Sequence, residues 1–153
     1  MNYYERALAL KEETIAHRRY FHTNAEVGLN MPKGQAYVLA ELQKLGIDAA
    51  PCGHGVVATV GKPGKCILLR ADMDALPMAE ESGLDFACPT GTEAHCCGHD
   101  FHVAMLLTAA KMLKVSSAGW NMNLTVPSSS ASFSFSILAA VSSMATWKSW
   151  PQQ

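Results

Sequence analysis

The sequence predicts an α/β domain, because segments with helical spacing of apolar residues alternate with short apolar runs of β type. Two such runs cover residues 56–60 and 66–69, with a Gly- and Pro-containing connection between them. Helical patterns come before them and after them, and the later one is apolar from Val103 to Leu113. At 153 residues the chain is long enough for one domain with its own core.

Two helices are predicted before the first apolar run. The first begins at Asn2, whose side chain can cap it, and ends near Arg19, since basic residues favour a helix C-terminus. Residues 22–28 are predicted to form a loop because Thr, Asn and Gly interrupt the pattern. The second helix covers residues 32–45, with Pro in its first turn and Gly46 just past its end.

Short strands are predicted in the middle of the chain. Residues 47–50 form one before a turn that contains Pro and Gly, and residues 56–60 and 66–69 form a buried hairpin. Several Cys and His side chains here and in the loop over 78–94 have no neighbour at ligand spacing, so we assign them to the core or to turns. They are Cys52, His54, Cys66 and Cys88.

Two carboxylates, Asp72 and Asp74, follow the second apolar run directly. Functional sites in α/β proteins assemble at the ends of buried strands, so Asp72 is a candidate functional residue. A structural ion pair between Asp72 and Arg70 is the alternative interpretation.

The densest group of chemically active side chains covers residues 93–102, with three histidines, two cysteines and two carboxylates. Cys97 and His99 are two positions apart, so a thiolate and an imidazole can reach one metal ion, and zinc suits both ligands. Asp100 can cap the following helix and orient a ligand from behind. His102 can equally be a hydrogen-bonded surface residue.

Composition excludes several classes of function. With 12 basic and 13 acidic residues, the chain has no net charge that would attract nucleic acid or an anionic membrane, and no basic cluster contains aromatic residues. The N-terminus is polar and lacks the apolar core of a signal peptide, so a cytoplasmic location is expected. Five cysteines without an export signal favour metal ligation over disulfides.

Two motifs resemble a known family. Arg-Ala-Asp-Met-Asp-Ala-Leu-Pro at 70–77 and His-Cys-Cys-Gly-His-Asp-Phe-His at 95–102 are similar to the N-terminal part of the amidohydrolase (aminoacylase) branch of the co-catalytic zinc metallopeptidases. That branch includes hippurate hydrolase, N-acyl-amino-acid deacylases, indoleacetyl-amino-acid hydrolases and N-acetyldiaminopimelate deacetylase. The similarity covers residues 1–114 and implies an incomplete three-layer catalytic domain, with a partial sheet flanked by helices.

The resemblance also implies roles for single residues. Cys97 and His99 would bind divalent metal, two ions of Zn, Mn, Co or Ni in the full-length family, and Asp72 would orient a ligand from behind. The implied reaction is hydrolysis of a small N-acyl amino acid or amide, in which a glutamate transfers the proton of metal-activated water. In the family that glutamate lies in a Gln-Pro-Ala-Glu-Glu segment, which this chain lacks, so we expect a truncated fragment without activity. Phe101 stands where the family usually has glycine and is expected to crowd the pocket.

Residues 115–153 have a different composition. Lys148 is their only charged residue and 11 of the 39 positions are Ser, whereas 24 of the first 114 residues are charged. An irregular, disordered tail is therefore predicted. A Ser-rich linker is one interpretation. The other is translation in the wrong frame, because codons for residues 121–129, read one base back, can encode Glu-Tyr-Glu-Leu-Asp-Gly-Thr-Val-Lys, which resembles the family's continuation.

A second class of function fits the same ligands. Cys97 and His99, with His95 or His102, would then hold a structural zinc ion in a non-catalytic or interaction module. Such a site is closed by four protein ligands and stabilises the fold, whereas an incomplete hydrolase site is expected to bind metal weakly.

Overall fold

A computed structural model describes residues 2–61, 65–117 and 133–139 of the chain. Four helices and four strands lie in these ranges, and the predicted α/β class is confirmed. The helices are α1 (Tyr3–Ala9), α2 (Lys11–Thr23), α3 (Pro32–Lys44) and α4 (His99–Ser117). The strands are β1 (Ala49–Cys52), β2 (Gly55–Gly61), β3 (Lys65–Ala71) and β4 (Phe133–Ala139).

The N-terminal helical region differs from the prediction in two ways. The side chain of Asn2 caps α1 as expected, accepting a hydrogen bond from the Tyr4 N–H at 3.0 Å. The helix is interrupted at Leu10, however, and α2 then continues to Thr23. The prediction of a loop from residue 22 is therefore wrong for His22, which lies in the last turn of α2. Its side chain is held there by hydrogen bonds to Asp100 and Glu80, which are distant in sequence.

The sheet has the strand order β1-β2-β4-β3. β1 is antiparallel to β2, β2 is antiparallel to β4, and β4 is parallel to β3. The predicted hairpin of residues 56–60 and 66–69 is wrong, because β4 lies between these two strands. The predicted burial is also wrong for Ile67 and Leu68, which are 44% and 54% exposed on the edge strand β3.

β4 falls within the segment predicted to be an irregular tail. Its backbone pairs along its whole length with β2 on one side and β3 on the other, over Phe133–Ala139. The composition of residues 115–153 did not predict this strand. The predictions made for residues 118–132 and 140–153 lie outside the described residues.

The packing of α4 fixes the direction of the side chains at its N-terminus. Val103, Leu106, Leu107 and Ala110 are buried, and their spacing places them on one face of the helix. Burying each of the larger ones contributes roughly 1.5–3 kcal/mol, so the rotation of α4 about its axis is strongly determined.

None of the helices in the described ranges combines the length and the apolar content needed to cross a membrane.

Candidate metal centre

A short backbone bridge brings the segment after β3 against the segment before α4. The Leu76 N–H donates to the Ala94 carbonyl at 2.9 Å, and the Ala94 N–H donates back to the Leu76 carbonyl at 3.0 Å. The residues on either side of this bridge are the two aspartates after β3 and the Cys- and His-rich residues 95–102. Two segments that the sequence separates by about twenty residues therefore form one site.

His99, the first residue of α4, is held by Asp74. Its Nδ1 lies 2.9 Å from Asp74 Oδ1 and 3.0 Å from the Asp74 backbone oxygen. A carboxylate and a carbonyl oxygen only accept hydrogen bonds, so Nδ1 donates, and Nε2 is the nitrogen that carries the lone pair in the neutral ring. Histidines that bind metals are oriented in this way by a carboxylate or carbonyl on their other nitrogen.

Cys97 lies against the same backbone oxygen. Its Sγ is 3.7 Å from the Asp74 carbonyl, and the side chain is exposed. Gly98, between Cys97 and His99, has φ +81°, a left-handed conformation that favours glycine. This turn lets the thiol and the imidazole approach one point, so the two predicted metal ligands lie together beside Asp74.

Asp72 and His102 lie near His99. One ligand atom from each of these three residues is within 4.8 Å of the other two. His102 follows His99 by three positions on α4, and their rings stack with centroids 5.4 Å apart. His102 could have been singled out by this helical spacing, but the sequence left its role open. Asp72 also forms the ion pair with Arg70 that was considered from the sequence.

Asp72 was expected to orient a metal-binding side chain from behind. Asp74 makes that contact instead. Met73 is buried between the two half-buried aspartates, so both carboxylates lie on the same side of this extended segment. Asp74 hydrogen-bonds to His99, whereas Asp72 offers a carboxylate oxygen to the group with His99 and His102. The catalytic role given to Asp72 stays a prediction.

Asp100 accepts a hydrogen bond in the first turn of α4, from the Phe101 N–H to its Oδ1 at 2.9 Å, but it does not contact a predicted ligand. Successive side chains of a helix are about 100° apart, so Asp100 faces α2 while its neighbour His99 faces Asp74. Asp100 is 0% exposed, and its Oδ2 accepts hydrogen bonds from Arg18 Nε at 2.8 Å and His22 Nδ1 at 2.7 Å. The expected orienting role of Asp100 is therefore wrong, because the packing of α4 turns its Oδ2 into the protein, whereas its expected contact with a first-turn N–H of α4 is present.

The buried network continues from Asp100 to Glu80. His22 Nε2 lies 2.9 Å from Glu80 Oε1. The hydrogen bond from His22, followed by the one from Ser82, holds the pKa of Glu80 below its ordinary value. No sequence spacing indicated this network, which joins three distant segments.

Two aromatic rings cover the Arg18 guanidinium. Its Cζ lies 4.5 Å from the ring centre of Phe101 and 5.0 Å from that of Phe86. Phe101 is half exposed and rests on Arg18. The ring that was expected to crowd the pocket is therefore in contact with the buried network.

His95 lies in the protein interior near both groups. Its side chain is 3% exposed, and neither ring nitrogen has a hydrogen-bond partner among the described residues. Burial is the largest of the causes that lower the pKa of His95 to about 4. Cys96, next to it, is exposed.

Comparison with known proteins identifies the family. Residues 68–126 match the profile of peptidase family M20/M25/M40. The N-acyl-L-amino acid amidohydrolase of Geobacillus stearothermophilus is 38% identical over 107 residues, which are 67% of this chain and 29% of that protein. Thermostable carboxypeptidase 2 of Saccharolobus solfataricus is 42% identical over 110 residues, covering 68% of this chain and 28% of that protein. The chain thus spans less than a third of these relatives.

The fold has a solved counterpart. The Bacillus subtilis YXEP protein, a dinuclear metal-binding peptidase from the M20 family, matches with a TM-score of 0.74 at 26% identity. The match covers 86% of this chain and 35% of that protein. The resemblance inferred from the two motifs is confirmed by these comparisons.

Proposed function

Because residues 68–126 match the profile of peptidase family M20/M25/M40, we propose that this chain carries part of the metal site of an amidohydrolase that cleaves N-acyl amino acids or small amides. The observation that carries the proposal is the convergence of Cys97 and His99 on Asp74. Two relatives, an N-acyl-L-amino acid amidohydrolase and a carboxypeptidase, are 38% and 42% identical to this chain over 107 and 110 residues.

The side chains around Asp74 suit a divalent transition-metal ion. They offer an imidazole nitrogen of His99, a carboxylate oxygen of Asp72 and the exposed thiol of Cys97, a donor set that fits Zn, Mn, Co or Ni. A bound ion would lower the pKa of a water molecule and polarise the amide carbonyl. Asp74 keeps the His99 ring in place, so the nitrogen that faces the ion does not have to be ordered on binding.

After α4 this chain has no carboxylate that could act as the general base and transfer the proton of the water molecule. Its last acidic residue is Asp100, which is buried and hydrogen-bonded to Arg18 and His22. A positioned general base typically increases a reaction rate 10²- to 10⁴-fold. We therefore expect the isolated chain to hydrolyse substrate slower by roughly that factor, or more, than a chain that has the base.

We also propose that residues 115–153 are translated out of frame. This explains why one charged residue is present in 39 positions after a region of ordinary composition. Sequencing the coding DNA tests it: a one-base shift near codons 114–120 should restore a Gln-Pro-Ala-Glu-Glu segment. Failure of every such shift would contradict this part of the proposal.

The enzymatic proposal is tested with two chains. The 153-residue chain and a frame-restored chain are loaded with zinc or manganese and assayed on hippurate and N-acetyl amino acids. We expect chelator-sensitive hydrolysis by the restored chain, its loss in His99→Ala, and none by the 153-residue chain. A restored, metal-loaded chain that cleaves none of these substrates overturns the proposal. Tight stoichiometric zinc binding that raises Tm without hydrolysis by either chain would instead support a structural zinc module.

A further inference from the structure

β3 is an edge strand of the sheet, and its central side chains are apolar and exposed. Among the described residues it has a strand partner, β4, on one side only. We propose that the other side of β3 is a docking surface for a second copy of this chain, and that the two β3 strands pair antiparallel across a two-fold axis. The inference goes beyond the proposed function and does not depend on the metal site.

The two edges of the sheet differ in how well they are protected against pairing. β1, the other edge, is four residues long and contains Pro51, and both features discourage the addition of a further strand. β3 is seven residues long, contains no proline and has the apolar run Ile67-Leu68-Leu69 at its centre. An edge strand of this kind is a template for pairing with another chain.

The exposed apolar side chains of β3 lie on both faces of the sheet. Ile67 is 44% exposed and Leu68 is 54% exposed, and neighbouring side chains of a strand point to opposite faces. A helix packed on one face of the sheet would cover only one of them. A further strand beside β3 would cover both, so the edge fits a strand better than a helix.

The symmetry of a two-fold dimer restricts the register of the two strands. A two-fold axis perpendicular to the sheet keeps every side chain on its own face, so one residue of the strand must lie opposite itself. If that residue is Leu68, the middle of β3, all seven residues of each strand are paired. Moving the axis by one residue leaves two residues of each strand without a partner, so the register centred on Leu68 gives the longest pairing.

The charges of β3 are compatible with this register. Neither of its two basic residues lies opposite a basic residue of the second copy, and Arg70 is also paired with Asp72 of its own chain. Like charges directly opposite each other would destabilise the pairing. The facing pairs are Lys65 with Ala71, Cys66 with Arg70, Ile67 with Leu69, and Leu68 with Leu68 of the second copy.

Pairing of this kind ends at a dimer. A seven-residue antiparallel ladder adds roughly six to eight backbone hydrogen bonds and occupies the open edge of both β3 strands. The remaining edges of the joined sheet are the two β1 strands, which are protected. The contact is smaller than a standard interface of about 1,600 Å², so we expect a weak dimer that dissociates on dilution.

The dimer leaves the metal centre of each copy accessible. Asp72 follows the C-terminal end of β3 directly, and antiparallel pairing places the two C-terminal ends at opposite ends of the strand pair. Seven residues of strand span roughly 20–25 Å. The two metal centres are therefore too far apart to share ligands.

Sedimentation velocity of the full 153-residue chain over a wide range of concentrations tests the inference. A chelator and a reducing agent are present, so that neither a shared metal ion nor a disulfide contributes. We expect a monomer that becomes a dimer as the concentration rises. Leu68→Lys should weaken dimerisation by roughly 100-fold or more, because it removes apolar contact from both strands and places two like charges opposite each other. Leu8→Lys, at a side chain of α1 that is 52% exposed, is the matched control and should dimerise like the wild type.

Opposite charges at the same position test the register. Leu68→Glu alone should also be monomeric. An equimolar mixture of Leu68→Lys and Leu68→Glu should form a heterodimer, because the two-fold axis brings position 68 of the two copies together. Circular dichroism verifies that each variant folds, and little change is expected because the Leu68 side chain is exposed.

Specific outcomes overturn the inference. A wild-type chain that stays monomeric at every concentration overturns it. A dimer or larger assembly that persists in Leu68→Lys also overturns it, because another surface would then hold the copies together. Monomeric variants whose mixture does not dimerise would overturn the register centred on Leu68. The proposed function is decided separately by metal binding and hydrolysis.

Discussion

The first turn of α4 separates two groups of histidine and carboxylate side chains that share residue types and differ in environment. On one side, Asp100 and His22 are buried, and both ring nitrogens of His22 lie within hydrogen-bond distance of carboxylates. On the other side, His99 is partly exposed and has a carboxylate on only one of its nitrogens. Adjacent residues in the sequence, His99 and Asp100, thus belong to different groups.

The difference between the groups is one of desolvation. A charge taken out of water must be fully paired, so the Asp100 network uses its polar atoms internally and stabilises one arrangement of α2 against α4. A partly exposed group can leave lone pairs to solvent at little cost, and those lone pairs can bind a cation. Burial and pairing, not residue type, separate the structural group from the candidate site.

The largest expected effect is on stability. Asp100→Ala leaves Arg18 and His22 without their shared acceptor, so the free energy of unfolding should fall by about 3–5 kcal/mol. The matched change in the partly exposed group of His99 is Asp72→Ala, which removes a partly exposed ion pair. It should lower the free energy of unfolding by roughly 0–1 kcal/mol. Urea unfolding followed by circular dichroism measures both. Equal losses in the two variants would remove the distinction between the groups.

The next effect is on metal affinity. Asp74→Ala removes the carboxylate that orients His99 and should weaken zinc binding by roughly 10- to 100-fold, as loss of such outer partners typically does. Calorimetric titration measures the change. Glu81→Ala, which removes an equal charge from an exposed position, serves as the control. If both variants bind zinc equally, net charge explains the effect and Asp74 does not orient the ligand.

A smaller effect is expected where an exposed ring meets the buried network. Phe101→Leu keeps apolar bulk over Arg18 but removes the cation–π contact, so the free energy of unfolding should fall by about 0.5–1 kcal/mol. Zinc affinity should stay unchanged, because the ring rests on Arg18. A tighter zinc complex in Phe101→Leu would show that the ring does crowd the metal centre.

The smallest effect is a pH dependence of the core. The pKa of His17 is lowered chiefly by burial, which Glu41 and then Glu13 partly offset, and burial also raises the pKa of its hydrogen-bond partner Tyr37 to about 12. The unfolded chain binds a proton at His17 near pH 6.5, whereas the folded chain does so only at lower pH. The stability contribution of a neutral His17 is thus complete above pH 6.5 and is lost as the pH falls toward the folded-state pKa.

Urea unfolding at about pH 7.5 and about pH 5.5 measures this dependence. The wild type should lose more stability between the two values than His17→Gln, which cannot take up the proton. Other buried histidines, such as His95, contribute equally to both chains and cancel in the comparison. Identical losses would show that His17 titrates normally in the folded protein.

Local features of the fold could be predicted from the sequence. Asn2 caps α1, Pro32 opens α3 and Gly46 follows it with φ +63°, because caps and turns depend on residues a few positions apart. The apolar stripe of α4 was predicted for the same reason. Cys97 and His99 were placed together because two positions around a glycine span a short distance.

Features of the fold that depend on residues far apart in the chain could not be predicted from the sequence. Nothing near residues 56–69 indicates that β4, more than sixty residues later, separates two strands that look like a hairpin. Asp100 and His22 are 78 positions apart, and the composition of either segment fits a site as well as a structural pair. Asp74 was noted from its position, but its contact with His99 depends on a backbone bridge formed elsewhere.

The sequence by itself determined the family, the α/β class and which residue types meet at the start of α4. Motifs and apolar periodicity depend only on residues that are close together in the sequence. Tertiary structure decided which of those side chains stay open to solvent. A helix buries only one face, and the buried face of α4 turns Asp100 inward, where Arg18 pairs its charge. His99 and His102 are left on another face, beside Asp72.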